Sequence, residues 1–255
     1  MVGVAHLPYP EQADVALARL RADLLADPFF KGVPSMQPQQ KKTALCFHAK
    51  DDLPEVRREV FKLLPEFEAT VQVAIMRKRE LVASVKRLNA YGYRYKPDAV
   101  YDDLVRHAFK NLLPRTAENR ICFARRGKTA REQSLRLALA KARTGFDPWQ
   151  IDGVPRPWHA LPGQTQHPEE QIGFPPDDST ILAAYPHEAA GLQVVDYYLW
   201  ELQRLFEKGE ERFFAAVADD YKLIIDLDDK RNLGIGEWYS ESNPLTLQKV
   251  LPVTG

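Results

Sequence analysis

An α/β domain, with helices packed on one sheet, is the fold class this sequence predicts. Three observations predict it. Strand and helix signals alternate along the 255 residues. Thr70–Met76 (Thr-Val-Gln-Val-Ala-Ile-Met) is β-branched and alternating, as a strand requires. Ala189–Lys208 repeats apolar residues at helical spacing, as an amphipathic helix requires. The length suits a single domain over residues 1–255 with a substantial core.

Val2–Leu7 reads as a short strand, and Gln12–Leu25 as a helix with Val15, Leu17, Leu20 and Leu24 inward. A loop rich in Pro, Gln and Lys spans residues 27–42, and Thr43–His48 is a strand candidate. Pro54–Leu64 is a helix with proline in its first turn, where a missing N–H costs nothing. The Thr70–Met76 strand follows. Asp98–Leu113 is a helix with Tyr101, Leu104, Val105, Ala108 and Leu112 inward. Asn119–Ala124 is a strand and Thr129–Arg143 a basic helix.

From residue 145 to 186 the composition changes: eight prolines, among them Pro148, Pro155, Pro175 and Pro176, accompany Trp149 and Trp158, and no periodicity persists. About 40 residues without an element is long for a compact domain, so this Pro-rich insertion reads as a functional insertion or lid. Ser179–Ala184 hides a short strand candidate within it. After the Ala189–Lys208 helix come Arg212–Val217, a strand at Tyr221–Leu227 and an irregular tail over Tyr239–Leu247. No internal repeat is visible.

Lys plus Arg and Asp plus Glu number 35 each, so no global field announces a nucleic-acid partner, and any such surface must be local. Cys46 and Cys122, without secretory features, point to a reducing, cytoplasmic setting rather than a disulfide framework. No apolar run reaches the roughly 18 residues of a membrane span. Cys46-x-His48 has too few ligands for zinc.

Asp196 is the first residue to ask about function. Leu192, Val195, Leu199, Leu202 and Phe206 share one helical face, and Asp196 lies at its edge. An unpaired charge there is costly, so it must find a metal, a cation or donors. The plain alternative is an acid paired with arginine or backbone amides at the core margin.

Several segments together resemble the bacterial domain-of-unknown-function 3800 family, of the ribonuclease H-like superfamily. They are Phe47-His48-Ala49-Lys50-Asp51-Asp52 with Pro54-Glu55-Val56-Arg57, then Val73-Ala74-Ile75-Met76-Arg77-Lys78-Arg79, and Arg125-Arg126-Gly127-Lys128-Thr129. The most specific is His187-Glu188-Ala189-Ala190-Gly191-Leu192-Gln193-Val194-Val195-Asp196-Tyr197, and the tail from Tyr239 to Thr246 resembles one branch of the family. The resemblance covers nearly the whole chain. It implies a ribonuclease H-like mixed sheet flanked by helices, with acidic residues at one end holding Mg2+ or Mn2+ for phosphodiester cleavage. The family's Leu-Gln-x-x-Asp helix supplies a late acidic residue, here Asp196.

One departure stands out. Family members open with a strand carrying an Asp-Glu-Ser-Gly-like turn, whereas Met1-Val2-Gly3-Val4-Ala5 resembles the family's second strand. Either Met1 is a misassigned start or the chain is a truncated form that does not assemble the metal pair. The first is favoured, because losing a central strand exposes an edge.

The remaining candidates each have a plainer alternative. Asp51 and Asp52 precede a helix and suit either a site or an N-cap. His48 suits a proton shuttle or a structural hydrogen bond. Glu188 contributes only from the turn before the helix, since eight residues of helix put about 12 Å between it and Asp196. Asp226, Asp228 and Asp229 read as a solvated strand end or an acidic cluster. Arg77-Lys78-Arg79 and Arg125-Arg126 each follow a strand, and parallel strands would bring both to one edge, where a phosphate backbone could track. Tyr91, Tyr93, Tyr95, Tyr197, Tyr198 and Trp200 are candidates for base stacking, with Trp200 better suited to packing.

The leading expectation is a divalent-metal-dependent nuclease or its inactive descendant. Asp196 would hold metal, Glu188 and Asp51 would assist, Gln193 and His48 would orient substrate, and Arg77, Arg125 and Arg126 would bind phosphate. The rival is a non-catalytic module binding nucleic acid or protein, in a mobile-element or phage-defence setting. A small-molecule hydrolase is weaker, with no Gly-x-Ser-x-Gly elbow.

Overall fold

The computed structural model describes residues 1–37, 45–89, 94–110, 112, 119–125, 131–144, 150–151, 154–155, 179–229 and 236–250. Among these the chain is mixed α/β. The first strand β1 (Val2–His6) leads into helix α1 (Pro10–Ala26), and α2 (Pro54–Leu63) precedes β2 (Thr70–Ile75). Next come α3 (Lys78–Asn89), α4 (Pro97–Ala108), β3 (Arg120–Ala124) and α5 (Glu132–Thr144). Two short strands, β4 (Gln150–Ile151) and β5 (Val154–Pro155), lie in the Pro-rich segment, which ends with β6 (Thr180–Ala184). The long helix α6 (Ala190–Lys208), short α7 (Phe214–Val217), β7 (Tyr221–Asp226), β8 (Glu237–Tyr239) and α8 (Leu247–Val250) complete the order.

Four strands form a mixed sheet in the order β1-β2-β7-β8. β1 is antiparallel to β2, β2 parallel to β7, and β7 antiparallel to β8. A separate parallel pair joins β3 to β6, and β4 pairs with β5. The expected single sheet is therefore divided among the described residues.

The central strand β2 explains the layering. It is buried almost throughout, as a strand covered on both faces must be. Val71, Val73 and Ile75 enter one core with residues of α1, α2 and α6. Ala74, of opposite parity, enters a second core with residues of α4, α5 and β3. Helix α6 packs on β1, β2 and β3. Gly3 permits its close approach, since a Cβ there would lie 2.8 Å from Leu199.

Several expectations need correction. Leu45–His48, the described part of the Thr43–His48 candidate, is not a strand. The Phe47, His48 and Ala49 amides instead donate to side chains, so no ladder takes them. Val15 is 70% exposed, because Ala13, Leu17 and Leu24 form the buried stripe of α1. Helix α4 ends at Ala108, with Leu112 in a turn beyond it. Lys78 and Arg79, expected as a basic cluster, open α3. The hidden strand near Ser179 is present as β6. No helix among the described residues is long and apolar enough to cross a membrane.

Candidate functional site

The first two turns of α6 build the site. Asp14 of α1 caps the helix start from a distance, its carboxylate accepting the Ala190 N–H at 2.8 Å. Two polar side chains then reach outward to the loop before α2. Gln193 accepts the Phe47 N–H at 3.0 Å and donates to the Pro186 carbonyl at 2.9 Å. One turn on, Asp196 Oδ2 accepts the Ala49 N–H at 2.9 Å. Each bond to the charged carboxylate contributes about 1.5–3 kcal/mol.

The loop contributes a second carboxylate. Asp52 is buried, and its Oδ2 accepts the His48 N–H at 2.8 Å and the Tyr197 hydroxyl at 2.6 Å. Arg57 then donates to the carbonyls of Ala49 and Asp52, pinning the loop from the other side. Neither Asp51 nor Asp52 caps α2: the N-cap is Leu53, without a side-chain bond.

These contacts hold the His48 ring beside Asp196. Nδ1 stands 3.6 Å from Asp196 Oδ2, beyond hydrogen-bond reach, and has no hydrogen-bond partner among the described residues. Both side chains are half-buried, keeping 34% and 37% of their surface, while the Nδ1 that faces Asp196 is itself buried. Burial pushes the Asp196 carboxyl above its ordinary range, against the opposing pull of His48 and the Ala49 N–H, while Asp51 adds to the rise. Burial likewise raises Asp52, against the hydrogen bonds from Tyr197 and His48. An imidazole and a carboxylate set side by side are the kinds of group that general acid–base catalysis uses.

His48, Asp51, Gln193 and Asp196 thus gather at one place. Glu188 stands apart, in the turn before α6, where its carboxylate accepts the Tyr185 N–H at 2.7 Å. Arg77 is committed elsewhere: its guanidinium pairs with the fully buried Asp226 at 2.5 Å and lies over Phe206. Its backbone N–H donates to Asp228. The acidic strand end is thereby an internal ion pair and not a solvated cluster. Arg125 emerges beside Tyr185, before α6 begins. Arg77 and Arg125 consequently sit near opposite ends of α6 and do not share an edge. Arg126, Tyr91 and Tyr93 lie outside the described residues. Tyr197 and Tyr198 are fully buried and are not surfaces for a base, and Trp200 packs on Phe61 and Phe213.

For Mg2+ or Mn2+ the described donors fall short. No group of three His, Cys, Asp or Glu side chains among the described residues is placed to hold a metal ion. His48 and Asp196 supply two donors where hard divalent ions take about six, mostly oxygen. Sequence reasoning missed the Asp52–Tyr197 bond, the Asp14 cap and the Arg57 brace. The first two join segments distant in sequence, and the third is a side-chain bond to backbone carbonyls that composition does not mark. Comparison with family models, curated proteins and solved structures yields no match.

Proposed function

We propose that this chain is a ribonuclease H-like protein, akin to the domain-of-unknown-function 3800 family, that works on nucleic acid. Phosphodiester hydrolysis, in an active form, centres on Asp196 and His48. The observation that carries this reading is the half-buried His48–Asp196 pair, whose Asp196 stands on the helix with the Leu192-Gln193-x-x-Asp196 pattern that carries the resemblance. The mixed strand directions of the four-stranded sheet, with helices on both faces, support the fold assignment. The resemblance implies Mg2+ or Mn2+, and the described residues alone do not complete that set.

A second reading, a non-catalytic module binding nucleic acid or protein, is favoured by one specific observation. Gln193, Asp196 and Asp52 each accept a backbone amide of the same loop, which is how a structural clamp is built. Labelled RNA and DNA incubated with the protein and manganese, beside an Asp196→Asn control, separate the two. Cleavage by the wild type and none by the variant supports the hydrolase. Cleavage surviving the substitution removes Asp196 from the mechanism, and binding without cleavage establishes the module.

A further inference from the structure

Three planar side chains lie against one another where β3 and β6 end. The strands are parallel and in register to Ala124↔Ala184, and the Arg125 N–H donates to the Ala184 carbonyl at 2.9 Å. Arg125 and Tyr185 therefore emerge side by side at the carboxyl edge, where α/β sheets tend to place ligands. The Arg125 guanidinium lies 4.9 Å from the Tyr185 ring centroid. The His187 ring is 5.6 Å from that ring and parallel to it within 9°.

All three residues are exposed, Tyr185 by 44%. Exposure here does not mean looseness. The Glu188 N–H donates to the Tyr185 carbonyl at 2.9 Å while the Glu188 carboxylate accepts the Tyr185 N–H. Gln193 holds the intervening Pro186 carbonyl, tying this turn to the helix that carries Asp196. An exposed aromatic held by a hydrogen-bonded turn beside a cation is inexpensive to stack upon, since little ordering remains on binding.

We propose that Arg125, Tyr185 and His187 form a stacking platform for an unpaired nucleobase, with Arg125 meeting the adjoining phosphate. The occupant is a single-stranded nucleic acid, because bases within a duplex are already stacked. This rests on the nucleic-acid reading above and supplies its binding subsite. The cation beside the ring matches the anionic backbone, and the shared Gln193 tether places the platform next to the His48–Asp196 pair.

The test is fluorescence anisotropy with labelled single-stranded RNA, single-stranded DNA and the matching duplex. Tyr185→Ala should weaken single-strand binding roughly ten- to a hundredfold and leave duplex binding unchanged, while Tyr185→Trp should preserve it. Arg125→Ala should weaken binding and flatten its salt dependence. An unchanged melting temperature in each variant shows that folding is intact. Single-strand binding by the wild type that Tyr185→Ala leaves undiminished overturns the platform and spares the nucleic-acid reading. A wild type that binds no oligonucleotide overturns both.

Discussion

Glu201 should make this protein lose stability as pH rises through neutrality. Its side chain is fully buried on α6, against β7. The Tyr221 hydroxyl lies within hydrogen-bonding distance of both the Tyr198 carbonyl, at 2.7 Å, and Glu201 Oε1. A phenol has one proton to give. With that proton on the Tyr198 carbonyl, the Glu201 contact requires a proton of its own, which a neutral carboxyl supplies. Burial agrees, pushing Glu201 from 4.5 up to about 8 and outweighing the opposing pull of the Tyr221 contact. Between those values the folded chain holds a proton that the unfolded chain has released. Its stability is therefore complete below pH 4.5 and falls as pH rises to about 8. At about 1.4 kcal/mol per pH unit the whole span is worth at most about 5 kcal/mol. Glu201→Gln stays neutral throughout and can donate its amide to the same phenol. Urea unfolding at intervals from pH 5 to 9 should show the wild type steadily losing ground to the variant. The other carboxyls raised by burial, Asp52, Asp196, Asp220 and Asp228, are common to both proteins and cancel in the difference. Parallel curves would refute the reasoning.

Asp226→Ala strands Arg77 at the end of β2 and should cost about 3 kcal/mol by urea unfolding, near the lower bound for breaking a buried pair because Arg77 is partly solvated. Tyr197→Phe removes the hydroxyl that donates to the buried Asp52 Oδ2 and should cost about 1–3 kcal/mol, read as a lowered melting temperature. The Cys46 thiol, raised by burial to about 11, should resist iodoacetamide at pH 8 in the folded protein and react once it is unfolded, as mass spectrometry would show.

Sequence periodicity located most elements because their signals are local. The β2 strand announces itself through Thr70-Val-Gln-Val-Ala-Ile75, and α2 through Pro54. What escaped was determined by distant partners. The run up to His48 has strand composition, yet the Phe47 amide goes to Gln193 of α6, 146 positions later, the His48 amide to Asp52, and the Ala49 amide just beyond to Asp196 of α6. The Ile-Asp-Leu-Asp-Asp end of β7 looks solvated until Arg77, 149 positions earlier, is brought against Asp226. Glu201 was legible in principle. Val194, Tyr197, Tyr198, Glu201 and Leu205 form a second buried stripe beside the one carrying Leu192 and Leu202. A helix apolar on two stripes is enclosed on two sides. The position of Asp196 beside that enclosure was visible from spacing alone; that its oxygen would meet a backbone amide was not.

Along α6 the polar residues divide by what they face, and the division predicts which substitutions alter function. Glu201 is sealed against β7, where it influences only folding. Gln193 and Asp196 reach out of the opposite half of the helix and hold two loops, one carrying His48 and the other Tyr185. Gln193 touches both loops, so Gln193→Ala releases the His48 ring and the aromatic platform together. The loss of two hydrogen bonds should lower stability by about 2 kcal/mol. A residue acting only through folding would change activity in proportion to that loss. A frame for the site should do more. At a temperature where Gln193→Ala and Asp226→Ala are both fully folded, oligonucleotide binding should fall in the first and match the wild type in the second. Equal binding by the two variants would show that the first turns of α6 serve the fold alone.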